Sequence, residues 1–511
     1  MGKCLYIIQP QGKKEKNMEK SVLRLIAMLL TLMLIFSCTA CKKSNDEDSS
    51  DYGSTEEIIE YENDDGDESA ASGSNSTASG GGTVKKNKDG SLKVTLDTKN
   101  IAGDSEAQKA LQAQLKNSAK GKTLTILSTW GEDGLVNQSW KAMFKAICGG
   151  DLKIIRCADW SGMQQKLASM HVAGNAPDLY EMTNQDYPSI VYRDILLPLN
   201  DHIDFNSAVY TNLDKELLSQ LTFNGKVYFW PTFTDATGYR KGLWVNLSLL
   251  EQRGVPANMM PDALIKANNW TWDTLYEVEK KVTDKTNGIY GFVAPDNSCL
   301  AAGVLVTTGE DFIKYTKDGI MSNFQSNNVT RAMNMYKKLA DPSYFTNDKA
   351  VDIFDDGKAG FIYGSADQVS AKKRNAMAKA GTVKIVPFPR DPKQSQYIVL
   401  GDITGIAVPS GSKNKETAIN FVKMLRASDY YNKQVGDIYY KQYSYTDQAK
   451  QYSDDCIKKY KMMVETSMGI KDILGTCWKA YGKEFVEGSA SWETRAAEYS
   501  PQIQSLLDKM G

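Results

Sequence analysis

The chain has 511 residues with 61 basic and 62 acidic side chains, and this near balance leaves no basic footprint for nucleic acid. That length exceeds what a single hydrophobic core spans, so two or more folded bodies are expected once the tails are set aside. Two histidines, His171 and His202, leave almost no material for His-ligated zinc or a Ser-His-Asp device.

The N-terminus carries Lys13, Lys14, Lys16, Lys20 and Arg24 ahead of the apolar run Leu25 to Phe36, with Met18 as an internal start. A basic stretch before twelve mostly apolar residues reads as a secretory leader, too short for a permanent span of about 20 residues. The run ends at Ser37-Cys-Thr-Ala-Cys41. Cysteine after two small residues resembles a lipoprotein signal, which implies a leader over 1–41 and acylation of Cys41. Cys38, standing where such signals prefer Leu, is the competing residue. Residues 42–92 hold twelve acidic residues between Asp46 and Glu68, then a Ser/Gly/Ala-rich stretch. Such a composition cannot bury a core and reads as a tether, with a reach of roughly 40 Å as flexible coil. Residues 93–121 read as a short strand near Leu92 and a helix from a Ser105 cap, with no functional assignment.

From Lys122 the chain alternates strand and helix as a parallel sheet requires. Strands are expected at Thr123 to Ser128, Leu152 to Cys157 and Pro177 to Glu181, with helices at Gln138 to Cys148 and Met163 to Val172. Each strand delivers a polar or aromatic cluster at its C-terminal end, where ligands bind in open α/β sheets. The clusters are Trp130 with Glu132, Asp159 with Trp160, and Glu181 with Asn184, Gln185 and Asp186. Gly225 to Leu250 then reads as two short strands, around Val227 to Phe229 and Gly242 to Asn246. Between them lie Pro231, Thr232, Thr234, Asp235, Thr237 and Gly238. Proline and small polar residues suit a backbone bending between two bodies, although a hairpin with a long polar loop fits the local pattern equally.

Beyond it, helices are expected at Thr271 to Thr283, Asn327 to Leu339 and Glu416 to Leu425. Strands are expected at Gly288 to Val293 and Ala359 to Tyr363, and two further apolar stretches follow at Val383 to Phe388 and Ile398 to Pro409. From about Tyr445 the chain reads as helical. Trp270 and Trp272 read as packing residues at a helix start.

Several spaced features carry a resemblance across Lys122 to Gly511. They are Leu124-Thr-Ile-Leu-Ser-Thr-Trp130, Gly174-Asn-Ala-Pro-Asp-Leu-Tyr180, Leu196-Leu-Pro-Leu-Asn-Asp-His-Ile203, Val227-Tyr-Phe-Trp-Pro231 followed by Trp244-Val-Asn246, and Phe354-Asp-Asp-Gly-Lys-Ala-Gly-Phe361. In this order they resemble the extracellular solute-binding proteins of ABC importers, the maltose-binding type in particular. The resemblance implies a two-lobed α/β fold of the type II periplasmic-binding-protein kind. Its first lobe would comprise 122–233 and 401–444, its second 234–400 and the C-terminal helices of 445–511. It also implies a monomer that takes a small solute, carries no cofactor and presents its cargo to permease subunits, held to the membrane by its N-terminal lipid.

The ligand contacts expected from the first lobe and the crossovers are Trp130, Glu132, Asp159, Trp160, Glu181, Asn184, Gln185, Asp186, Trp230, Thr234, Asp235 and Asp402. Those from the second lobe are Asn297, Asp367 and Trp478. Carboxylates and amides take sugar hydroxyls in pairs while indoles stack on the apolar face of the ring, so a carbohydrate is the expected cargo. Maltose-binding relatives have an aromatic after the strand ending at Gly364, where Ser365 and Ala366 stand here, and that departure argues against a maltodextrin. A peptide or other polar solute, or service to a sensor, is the alternative. A secreted glycosidase using Asp159, Glu181 or Asp235 is the enzymatic one. The five cysteines beyond the leader, Cys148, Cys157, Cys299, Cys456 and Cys477, form neither a disulfide framework nor a metal pair and read as mostly buried thiols. Gly121-Lys-Thr123 lacks the earlier glycine of a phosphate loop, since Lys116 stands there. Ser410-Gly-Ser-Lys413 has no Lys-Thr-Gly partner.

Overall fold

The computed structural model describes residues 83–86, 92–95 and 101–509, apart from 133, 185, 192, 232–240, 296, 317–318, 366–371, 402, 430–446 and 468–484. Thr83–Lys86 (β1) and Leu92–Thr95 (β2) pair as an antiparallel hairpin, so β1 is a strand within the stretch that composition assigns to the tether. Next comes the helix Glu106–Leu115, closed by a capping box in which Ser105 and Gln108 satisfy each other's backbone N–H groups. It docks on the body that follows. Leu115 and Ala119 are buried against that body, the Gln112 amide donates to Ala427 O at 2.9 Å, and Ala119 N–H to Cys148 O at 2.9 Å.

Thr123–Ser128 (β3), Asp151–Arg156 (β4) and Leu179–Thr183 (β5) lie parallel, with β3 in the middle. Successive β3 side chains enter opposite cores, Leu124 and Ile126 on one face and Leu127 on the other. The intervening helices are Leu135–Met143, prolonged by a π-turn over Phe144–Cys148, and Trp160–Val172, each starting earlier than periodicity predicts. Thr222–Phe223 (β6) and Lys226–Val227 (β7) form a small hairpin, and Trp230–Pro231 (β8) closes one edge of the first sheet. An edge is where a residue without a backbone N–H is tolerated.

Lys241–Asn246 (β9) belongs to a second sheet, so the chain changes body between Pro231 and Lys241. The crossing reading prevails over the hairpin. The second body adds Tyr290–Val293 (β10), a hairpin of Ile313–Thr316 (β11) and Gly319–Ser322 (β12), then Phe345–Thr346 (β13), Ala359–Ser365 (β14) and Val383–Val386 (β15). Its sheet runs β13-β10-β14-β9-β15, with β9 antiparallel to both its neighbours. The stretch Ile398 to Pro409 holds two strands, Ile398–Gly401 (β16) and Thr404–Ala407 (β17), and β17 returns to the first sheet between β5 and β8. The final part is not all helical. Between the helices Asp447–Lys458 and Trp492–Leu507, Lys461–Val464 (β18) pairs in parallel with β16.

Trp270, Trp272 and Trp492 fill the core of the second body, and each indole N–H reaches an acceptor: Pro387 O at 2.9 Å, Thr307 Oγ1 at 3.0 Å and Phe324 O at 2.9 Å. Another core runs across the two sheets, joining Tyr180 and Tyr187 of the first body to Trp244 and Ile362 of the second. Between the bodies the segment from β18 to Ser467 is held from both sides. Gln220 brackets Met462 O and Val464 N–H at 3.1 and 2.9 Å, and Asn184 donates to Glu465 O. From the second body, Asp311 accepts from Thr466 N–H at 3.0 Å.

Candidate functional site

The parallel strands β4, β3 and β5 end side by side, so three of the expected clusters share one rim of the first sheet. At the end of β3 the turn carrying Trp130 is built by two residues that sequence reasoning passed over, Ser128 and Asn137. Ser128 Oγ accepts from Trp130 N–H at 3.0 Å, while the Asn137 amide donates to Trp130 O at 2.9 Å and Gly131 O at 3.0 Å. Both are wholly buried. Their signal was a Ser closing an apolar strand and an Asn nine positions later, visible only once helix and strand face each other. Trp130 itself stays half-buried.

Asp159 is exposed and caps the next helix, its carboxylate accepting from Gly162 N–H at 2.7 Å, and Trp160 is the first residue of that helix. Glu132 departs from expectation. It reaches along the free edge of β4, accepting from Ile154 N–H at 3.2 Å and pairing with Lys141, because an edge strand leaves amides that need a partner.

Four further expected contacts are internal. Glu181 has no exposed surface, and Ser128 Oγ donates to its Oε2 at 2.5 Å. Burial pushes its carboxyl up to about 7, against the pull of Ser128, the Thr129 backbone and the Trp130 side chain. Asn184, equally buried, is a joint: its N–H donates to Ile403 O at 2.9 Å and its Oδ1 accepts from Ile403 N–H at 2.8 Å, while its amide holds Glu465 O. Asp186 closes its own turn by accepting from Thr183 N–H at 2.9 Å and from Gln164 at 2.7 Å. Trp230 is 1% exposed, stacked on Phe205 at 5.6 Å and edge-on to Tyr210 at 5.1 Å. It packs the first body instead of facing a solute, since β8 turns the ring into that core.

On the second body Asn297 begins the helix Asn297–Val306 at the end of β10. It is half-buried, and its Oδ1 is itself buried and has no hydrogen-bond partner among the described residues. Gln185, Thr234, Asp235, Asp367, Asp402 and Trp478 lie outside the described residues. Cys148 and Cys456 are buried thiols and Cys157 is half-buried; Cys299 and Cys477 are not among the described side chains.

Two α/β bodies joined by strand crossings, with polar and aromatic groups at the ends of parallel strands, define a solute-binding protein of the two-lobed type. Residues 139–463 match the bacterial extracellular solute-binding protein family, and the chain belongs to it. The diacetylchitobiose binding protein DasA of Streptomyces coelicolor is 26% identical over 324 residues, covering 61% of this chain and 70% of that protein. Among solved structures, the sugar-binding protein MalE of Xanthomonas citri superposes with a TM-score of 0.60 at 14% identity, over 76% of this chain and 98% of that one. The GacH receptor of Streptomyces glaucescens, solved unliganded and with acarbose, gives 0.52 at 16% identity over 76% and 98%. The fold is therefore the maltose-binding type, and the family places the protein outside the cytoplasm. Among the described residues no helix is long and apolar enough to cross a membrane.

Proposed function

We propose that this protein captures a carbohydrate between its two lobes and passes it to the permease subunits of an ABC importer, tethered to the membrane through lipid on Cys41. The observation that carries this reading is the alignment of Trp130, Asp159 and Trp160 on one strand-end rim, with Asn297 at the corresponding strand end of the other lobe. A half-buried indole beside carboxylate and amide groups offers a ring face and hydroxyl partners together. Relatives named for binding diacetylchitobiose and acarbose support the choice of sugar over peptide. Gln185, Thr234, Asp235, Asp367, Asp402 and Trp478 are proposed to complete the contacts. The protein acts without covalent chemistry, since Glu181, one carboxylate of the glycosidase alternative, is sealed from solvent.

A thermal-shift screen over chito- and malto-oligosaccharides, peptides and polyamines tests the cargo class. A sugar at 100 times its Kd stabilises the folded state by about 2.7 kcal/mol through mass action. The sugar so found is expected to be recovered unchanged, and small-angle scattering of protein lacking residues 1–92 is expected to show a smaller radius of gyration with it bound. Contacts from both lobes are satisfied together only when the lobes approach, and the crossings absorb that change. A peptide that stabilises where no sugar does, turnover of the sugar, or saturation without compaction each counts against the proposal.

The anchor has its own test. Mass spectrometry of the mature protein is expected to find residue 41 at the N-terminus carrying more than one acyl chain, because a single chain anchors only marginally. Cys41→Ser is expected to release the protein into the medium. Lipid on Cys38, or an unmodified N-terminus beyond residue 42, contradicts the assignment.

A further inference from the structure

Trp130 stands two residues beyond the end of β3, in a turn, yet its backbone is held as firmly as that of a strand residue. Ser128 Oγ donates its one proton to Glu181 Oε2 at 2.5 Å, which leaves its lone pairs to take Trp130 N–H at 3.0 Å. The Trp130 carbonyl accepts from the Asn137 amide at 2.9 Å, and Gly131 O accepts from the same amide at 3.0 Å and from Gly134 N–H at 3.1 Å. Ser128, Asn137 and Glu181 have no exposed surface, so water cannot stand in for these side-chain partners. Asn137 lies in the first turn of the helix Leu135–Met143, and Gly134 is the N-cap of that helix. With φ −58° and ψ 134°, Gly134 has a backbone open to any residue, so its conformation does not ask for glycine. Space does. A Cβ at Gly134 would lie 3.1 Å from Trp130 Cβ and 3.2 Å from Gly131 O, inside the separation of about 3.5–4.0 Å at which carbon atoms pack best. The start of the helix is therefore pressed against the root of the Trp130 side chain.

We propose, on the reading that Trp130 is a solute contact, that Gly134 and Asn137 are positioning residues for it. Asn137 fixes the backbone of the tryptophan and Gly134 admits its Cβ, so that the indole meets a carbohydrate ring from a preformed seat on the helix start. A stacking residue on a loose turn has to be ordered at every binding event, and that ordering is subtracted from affinity. A residue whose backbone is already tied on both sides avoids the loss. Neither Gly134 nor Asn137 touches the solute on this account, and each acts through the tryptophan.

The test has one arm without solute and one with it. In the full chain carrying fluorotryptophan, the Trp130 fluorine signal is the one lost in Trp130→Phe. Without solute, Gly134→Ala and Asn137→Ala are each expected to shift or broaden that signal, and to leave in place those of the second-body core residues Trp270, Trp272 and Trp492. A Trp130 signal unmoved in Gly134→Ala overturns the proposal. That variant, half-buried and ordinary in backbone, decides the matter should Asn137→Ala fail to fold. With diacetylchitobiose as the probe, Gly134→Ala is expected to weaken binding roughly 2- to 10-fold, the range an aromatic contact is worth beyond its buried area. Once Trp130→Ala has removed the ring, the same substitution is expected to have no further effect. A loss that persists at full size in the Trp130→Ala background overturns the proposal, since Gly134 then acts by another route. A parent protein indifferent to the disaccharide, or a Trp130→Ala variant that binds it as the parent does, counts against the stacking reading instead, and the fluorine spectrum alone then decides the positioning.

Discussion

Trp230→Ala is expected to cost the folded state about 3–5 kcal/mol, read as a lowered urea midpoint with an unchanged slope. The indole is among the largest fully buried side chains. Phe205 lies against one face at an interplanar angle of 12°, Tyr210 meets it at 73°, and the Arg426 guanidinium sits 5.8 Å from its ring centre. Truncation removes all three contacts at once and leaves a void that strand β8, pinned to β17 at Trp230 and Pro231, cannot collapse to fill. Solute affinity of the surviving folded protein is expected to be unaltered. A loss of affinity larger than the loss of stability would return Trp230 to the cleft.

Asp214→Ala is expected to be comparably severe, about 3–5 kcal/mol, because it takes the paired carboxylate from a buried cation. Asp214 has no exposed surface and Arg426 is 4% exposed. One Asp214 oxygen accepts from Arg426, and the other closes the capping box of the helix Asn212–Gln220 by accepting from Thr211 N–H at 2.7 Å. Removing the carboxylate therefore takes away an ion pair and a helix cap together. Replacing both members by apolar residues of similar volume, Asp214→Leu with Arg426→Met, is expected to recover much of the loss, since neither charge then remains buried. The Arg426 head also covers Trp230, so Trp230→Ala combined with Asp214→Ala should fall short of the sum of the single effects. Strict additivity in that cycle would mean the two sites are independent despite their contact.

The sequence by itself determined what is local or ordered along the chain. Alternating apolar runs at Thr123 to Ser128 and after Asp151 dictate strands, and the Ser105 cap and the amphipathic run from Asn327 dictate helices, whereas the change of body after Pro231 is decided by β8 and β9 joining different sheets. Motif order was enough for the family, because spacing survives when side chains diverge. Which polar residues face solvent was not legible, because a strand end with Glu, Asn and Asp in succession looks the same whether the groups point outward or into the sheet. Pairing of β5 with β17 buries Glu181 and makes Asn184 a joint to Ile403. The free edge of β4 draws Glu132 away, and the turn of β8 sends Trp230 inward. The strand β18 was missed for the same reason: Lys461-Met-Met-Val464 is short and follows a helix, and it becomes a strand only where β16 supplies the partner ladder. Contacts between residues tens to hundreds of positions apart decide these matters, and no local periodicity encodes them.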